Sequence, residues 1–478
     1  MKNKSLKKNA ALNMVKTIMG LIFPLITFPY ASRILQPSGL GKVNFAHSII
    51  SYFSMIAALG INTYAVREAA KLREDKAALT KFVKEILTIN MTSTVIAYLL
   101  LSFTILFVPY FSEYRVLLVV CSGTILFTTL GMDWLYTALE EFSYITIRSI
   151  LFQFLSLILL FVFVHTQEDY LKYASISVIS SVGSNICNFI HARKYISITE
   201  KIKKTLCHHL KPIFTLFAMS VAVSIYTALD TTMLGFIAGD EQVGFYTAAT
   251  KINKIVLAVI TAASAVLLPR LSYYISQHEN EQFFNLSAKA LNLIILLSLP
   301  CAVGLSLVAR PVVLLLSGVS YESAIPVMQI MNPIIVAISL SGLIGIQIFM
   351  PLGKEKLTLV SVILGAVINF TLNLILIPKH GALGAGVATI CAESSVTLFQ
   401  LILARKYFEW KRIVPHVIQC IFACIIMTLC ILFLEKIQMN MILQLVLTVI
   451  IGAFVYGTVL IVFHNKFILS IIKGTLKR

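Results

Sequence analysis

Residues 14–35 read MVKTIMGLIFPLITFPYASRIL, a run in which the only charges are Lys16 and Arg33. As an α-helix it would be about 33 Å long, enough to cross a hydrocarbon core about 30 Å thick. A basic segment, MKNKSLKKNAALN, precedes it as in a signal peptide. The apolar run is too long for that role, however, and no small-residue cleavage site follows. It reads as a retained first membrane helix.

Outward from this stretch the pattern repeats along the whole chain. Of 478 residues, 58% are apolar and 13% are charged, about half the charged share of an ordinary soluble domain. The spacing predicts an all-α polytopic membrane protein with fourteen transmembrane helices. In the first half they fall near 14–35, 43–61, 86–108, 116–139, 150–164 and 173–190. In the second half they fall near 213–237, 246–268, 290–308, 325–350, 357–377, 383–404, 414–434 and 441–462. With the N-terminus in the cytoplasm, about 30 of the 39 basic residues lie in inner segments, a positive-inside bias that puts both termini on that side. The net charge of +18 is then chiefly a topology signal aided by anionic inner-leaflet lipid, and implies no nucleic acid.

Three short segments recur in order some 200 to 213 positions apart. Ala192-Arg193-Lys194-Tyr195 returns as Ala404-Arg405-Lys406-Tyr407, and Leu139-Glu140-Glu141-Phe142 as Leu352-Gly353-Lys354-Glu355. Gly41-Lys42-Val43-Asn44-Phe45 is echoed by Gln242-Val243-Gly244-Phe245-Tyr246. Duplication of a six-helix unit follows, and an even number of crossings keeps both copies in one orientation, related by a pseudo-twofold axis along the membrane normal. The expected organisation is an N-terminal lobe (1–195), a basic cytoplasmic linker (196–211), a C-terminal lobe (212–407), and two further helices with a tail (408–478). Two such lobes would enclose a cleft that rocking opens to either side.

No G-x-x-x-x-G-K-[ST] loop is present, so the chain carries no ATP-driven motor of its own. Gly381 to Gly386 (GALGAG) superficially suggests a dinucleotide turn, but no strand precedes it, and small residues at a helix start explain it better. The polar segments are too short for a catalytic loop domain, so a transporter and not an enzyme is expected. The eight cysteines form no CxxC pair and read as small apolar packing residues. Neither Cys420 with Cys424 nor Cys207 with His208 and His209 supplies converging ligands alone, so neither a metal nor a cofactor is expected. Trp134 and Trp410 are expected as anchors at the inner interface.

Charges inside spans are costly enough that they should line a wet cavity. Arg33, Lys42, Lys251, Lys254 and Asp230 fall in the outer parts of the first, second, seventh and eighth helices. Lys251 and Lys254 share a helix face. Lys16, Arg67, Arg148, Arg270 and Asp133 fall near the inner ends, where basic side chains can also snorkel to lipid phosphates. Cations at both levels would suit an anionic head group such as a pyrophosphate. Asp133 and Asp230 are candidate gating or coupling carboxylates.

The segment Pro24 to Gly41 (PLITFPYASRILQPSGLG) resembles the first-helix signature of the bacterial polysaccharide flippases of the O-antigen or capsule type. These belong to the multidrug/oligosaccharidyl-lipid/polysaccharide exporter superfamily. Asp133-Trp134-Leu135 leading into Glu140-Glu141-Phe142 is similar to the same pattern, as are Asp230 before Met233-Leu234-Gly235 and His380 to Ala385. The resemblance implies alternating-access transfer of an undecaprenyl-diphosphate-linked oligosaccharide between leaflets of the bacterial cytoplasmic membrane, with membrane lipids and other polysaccharide assembly proteins as partners. The alternative within the superfamily is an ion-coupled multidrug or small-molecule exporter. Membrane carboxylates commonly couple ions there, whereas the first helix here carries Lys16 and Arg33 and no acid.

Overall fold

The computed structural model describes residues 6–197, 206–265, 267–408, 410–437, 439–465 and 467–469, all in helices and the turns between them. Part of the basic 196–211 segment and the final residues of the tail lie outside that set. Contacts divide the chain into two compact units, one running to Gly235 and including Gly239–Gly244, the other holding Phe236–Ala238 and the rest.

The first unit contains α1 (Leu6–Ala58), α2 (Ile61–Lys71), α3 (Lys76–Phe107), α4 (Arg115–Gly131), α5 (Asp133–Ala138), α6 (Phe142–Phe163), α7 (Tyr170–Val178), α8 (Asn185–His191) and most of α9 (Cys207–Ala238). The second contains α10 (Asp240–Ala265) beyond its first turn, α11 (Leu268–Ser276), α12 (Asn280–Leu307), α13 (Ala309–Ser317), α14 (Ala324–Met331), α15 (Ile334–Gly342), α16 (Glu355–Ala404), α17 (Trp410–Glu435) and α18 (Met441–Val462). Among the described residues ten helical stretches are long and apolar enough to cross a membrane. Two of them are double length, Met14–Lys71 with 58 residues and Glu355–Tyr407 with 53.

The long helix of each double-length stretch has a corner at one residue, and Met14–Lys71 turns again at Leu59 and Gly60, between α1 and α2. In α1 the corner is Gln36 (φ 57°, ψ 177°), which precedes Pro37; the proline ring clashes with a helical conformation at the residue before it. In α16 it is Gly381 (φ 51°, ψ −129°), a region that only glycine enters cheaply. The chain passes very close to itself beside both corners. A Cβ on Gly41 would stand 1.7 Å from the carbonyl oxygen of Asp240, and one on Gly384 would stand 2.5 Å from that of Leu376. The small residues of 381–386 thus serve close packing.

Other helices are interrupted where no break was expected. The segment predicted at 116–139 ends its first helix at Met132, in left-handed conformation (φ 42°), before α5. The segment at 173–190 contains a π turn at Ile179–Gly183, and the one at 325–350 contains a longer π stretch at Leu343–Phe349. α9 has partners in the first unit, where Thr232 donates to the Ser48 hydroxyl at 3.0 Å, although the repeat counts this helix with the second half.

Polarity is inverted relative to a soluble protein. Leu99, Phe103 and Leu106 on α3 are exposed, as are Val449, Phe454 and Val462 on α18, while polar side chains bond one another inside. Thr94 and Thr129 hydroxyls meet at 2.7 Å, and Asn90 donates to the Ala57 carbonyl at 2.7 Å. This is the distribution that a hydrocarbon solvent imposes. Trp134 is not an interfacial anchor. It is buried in a cluster with Tyr64, Ile86 and Tyr136, edge-on to Phe82, because the Met132 turn directs α5 into the unit. Trp410 is exposed and donates Nε1–H to the Arg405 carbonyl at 2.9 Å.

The repeated motifs occupy matching local structures. Ala192–Lys194 and Arg405–Tyr407 are both 3₁₀ turns that follow a helix. Their alanines, Ala192 and Ala404, are fully buried, and each lysine lies over the following tyrosine ring, at 5.8 Å for Lys194 and 5.4 Å for Lys406. The second motif places Glu140 (φ 57°) and Gly353 (φ 66°) in the same left-handed conformation. The next residue in each copy reaches the tyrosine of the first motif: Tyr195 donates to Glu141 Oε1 at 2.7 Å, and Lys354 donates to the Tyr407 hydroxyl.

Candidate functional site: charged groups within the helical units

At one end of the first unit, three of the expected site residues come together. The Arg148 guanidinium on α6 donates Nη2–H to Asp133 Oδ1 at 3.0 Å and Nη1–H to the Ser184 carbonyl at 3.0 Å and Asn185 Oδ1 at 3.2 Å. Asn188 donates to the same Asp133 oxygen at 2.7 Å and to the Gly131 carbonyl at 2.7 Å. Lys16 on α1 lies within electrostatic reach of both Asp133 and Arg148. Arg148 is thereby an internal tie between α5, α6 and α8, with a side chain only 6% exposed, whereas that of Asp133 is 48% exposed. Asp133 also lines a cavity of about 170 Å³ with a mixed wall, Asn62, Asn90 and Thr129 standing beside Ile61, Ile125 and Trp134. A half-exposed carboxylate at the edge of such a cavity can exchange one cationic partner for another.

Arg67 stands apart from this group. It is exposed on α2 and pairs with Glu68 at 3.0 Å. Near the α1 corner, Arg33 is exposed and Lys42 half-buried. Lys42 lies over the Tyr170 ring at 5.5 Å and within electrostatic reach of Asp240, which accepts from the Tyr114 hydroxyl at 2.7 Å. Asp230 is buried on α9, close enough to Tyr52 to interact with it electrostatically.

In the second unit, Lys251 and Lys254 are one turn apart on α10 and close enough to repel each other, Lys251 half-buried and Lys254 exposed. Between them Asn253 is 4% exposed, and neither its amide oxygen nor its nitrogen has a partner among the described residues. Such a buried amide is costly unless something satisfies it, and it escaped a reading that considered only ionisable groups. Arg270 is exposed on α11 and donates Nε–H to the Tyr274 hydroxyl at 3.1 Å. The same unit has an apolar cavity of about 530 Å³ lined by Val256, Pro300, Met427 and Tyr456 among others.

Residues 6–275 match the family described as polysaccharide biosynthesis protein. Over 407 residues the chain is 25% identical to the "Putative O-antigen transporter" of Escherichia coli K12, covering 84% of this chain and 97% of that protein. Among solved structures, the lipid II flippase MurJ in an inward closed conformation superposes with a TM-score of 0.77 at 17% identity, over 96% of this chain and 100% of that one. An inward-facing multidrug resistance MATE family transporter of the MOP superfamily superposes with a TM-score of 0.64 at 15% identity, over 85% and 98% of the two chains. At these identities the two structural likenesses are likenesses of fold. The family match covers more than half of the sequence, and the chain belongs to the polysaccharide biosynthesis protein family.

Proposed function

We propose that this protein is a flippase that moves an undecaprenyl-diphosphate-linked oligosaccharide from the inner to the outer leaflet of the bacterial cytoplasmic membrane by alternating access. The observation that carries the reading is the lysine pair on α10, two cations one turn apart inside a candidate membrane span. Family membership and a fold shared with a lipid II flippase support it. A diphosphate is the chemical group such a pair suits, because two adjacent ammonium groups match a doubly charged head.

The reading takes fourteen crossings. The ten apolar stretches reach that number when each double-length one counts twice and α9 and the broken α7–α8 segment are added. It also takes two six-helix lobes, divided near 196–211, with both termini in the cytoplasm. Arg33, Lys42, Lys16, Arg67, Arg148 and Arg270 are the further cations offered to the substrate path, and Asp133 and Asp230 the carboxylates that change partner as the cleft alternates. Other polysaccharide assembly proteins are its expected neighbours.

Deletion of the gene tests this directly. Loss of surface polysaccharide with accumulation of the lipid-linked precursor is expected, whereas intact polysaccharide with altered drug tolerance would favour small-molecule export. Lys251→Ala/Lys254→Ala should abolish complementation at normal expression, and full complementation by that variant would remove the pair from the substrate path.

A further inference from the structure

His208 and His209 open α9 and meet Glu85 of α3, which precedes His209 by 124 positions in the chain. One ligand-capable atom from each of the three lies within 4.8 Å of the other two. Glu85 and His209 are each 3% exposed, and Glu85 Oε2 stands 3.1 Å from His209 Nε2. The other imidazole nitrogen, Nδ1, is 2.8 Å from the Tyr64 hydroxyl. Tyr64 and Phe82 stand edge-on to the His209 ring, so the carboxylate and imidazole are set in an aromatic wall. His208 is exposed, with its ring centroid 3.7 Å from that of His209. Arg67 and Glu68, already paired with each other, are the charges of α2 that face Tyr64.

A zinc ion held at about 2.0–2.1 Å by nitrogen and oxygen ligands spaces those ligands about 3.3 Å apart in a tetrahedron. The 3.1 Å separation of Glu85 Oε2 from His209 Nε2 is close to one such edge. Tyr64 sits where an outer partner of a metal-bound histidine belongs: with Nε2 on the ion, Nδ1–H donates to the phenol oxygen and holds the tautomer. His208, on the solvent side, would offer a third ligand atom and leave a fourth position for water. Two imidazoles with one carboxylate suit borderline transition ions, not the oxygen-seeking Ca²⁺ or Mg²⁺.

We propose that Glu85, His208 and His209 form a binding site for a divalent transition-metal cation of the Zn²⁺ class, which fastens the first turn of α9 to α3. The site is independent of what the protein transports. The full-length protein in nanodiscs, stripped with EDTA, is titrated with Co²⁺ while the visible absorption of a tetrahedral ion is followed, and the Co²⁺ is then displaced with Zn²⁺. One equivalent per chain is expected. His208→Ala changes only an exposed side chain and should weaken binding at least tenfold, and Tyr64→Phe should weaken it by about tenfold. Zn²⁺ should raise the melting temperature of the unmodified protein and leave that of His208→Ala unchanged, a readout that does not depend on Glu85→Gln folding. Cys207→Ser, at the exposed thiol next door, should bind like the parent. Absence of stoichiometric binding, binding indifferent to His208→Ala, or binding lost in Cys207→Ser would overturn the proposal.

Discussion

A single guanidinium, that of Arg148, shows how position in a sequence and role in a structure separate. Its place near the end of an apolar run is where a basic side chain would reach for lipid phosphate, yet its fork is spent on Asp133, Asn185 and the Ser184 carbonyl. Arg148→Ala should therefore lower stability by about 2 to 3 kcal/mol, less than the figure for a fully enclosed pair because Asp133 remains half in solvent. Urea unfolding in detergent measures it, and an unchanged midpoint would leave the tie without energetic weight. Arg148→Lys keeps the charge but cannot make the forked set of bonds, so it should recover only part of the loss. The presence of charged groups within the apolar runs was legible in the sequence, and reading Lys16, Asp133 and Arg148 at one level agrees with their mutual proximity. What stayed hidden were pairings over long separations. Glu85 and His209 lie far apart in the chain, and nothing local to either reports the other. Trp134 likewise belongs to the core and not to the membrane boundary, a distinction made by the turn at Met132 and not by the residue type.

Element boundaries were readable where covalent chemistry enforces them. Pro37 and Gly381 mark the two corners that divide α1 and α16, and the expected gaps at 35–43 and 377–383 bracket the observed ones. The π turns at Ile179–Gly183 and Leu343–Phe349 have no such marker, because their apolar residues fit an α-helix equally well and the extra residue is selected by packing. The corners make opposite predictions for one substitution type. Gly381→Gln should cost about 1 to 3 kcal/mol, while Gln36→Gly relieves a non-glycine residue from a left-handed conformation and should be neutral or stabilising by about 1 kcal/mol. Melting temperatures of the two variants check both signs. The tyrosine contacts after the repeated turns provide a further test. A double-mutant cycle on Glu141→Ala and Tyr195→Phe should return a coupling of about 1 kcal/mol. Coupling near zero would mean that the second repeated motif matches in backbone only.

Across the whole molecule, the sparse charge was the most informative feature of the sequence, since its clustering between apolar runs predicts a direction for every crossing. A reporter active only outside the cytoplasm, fused after residue 478, should stay silent, and the same reporter placed in the loop at 165–169 should be active. Activity at the C-terminus would overturn the proposed alternation of fourteen crossings. Of the three short motifs read as an internal duplication, two have local structures that agree, down to the inverted charge of Glu141 and Lys354. The corners at Gln36 and Gly381 have a mechanical consequence. Neighbouring crossings joined by a loop can tilt separately, but crossings joined through one residue have no slack, so each corner turns its two rods into a bent lever. Inserting Gly-Ser-Gly-Ser after Gln36 should leave the helices intact by circular dichroism and uncouple the tilt of one rod from the next, so that the protein folds but fails to complement a deletion strain if the proposed alternating access holds.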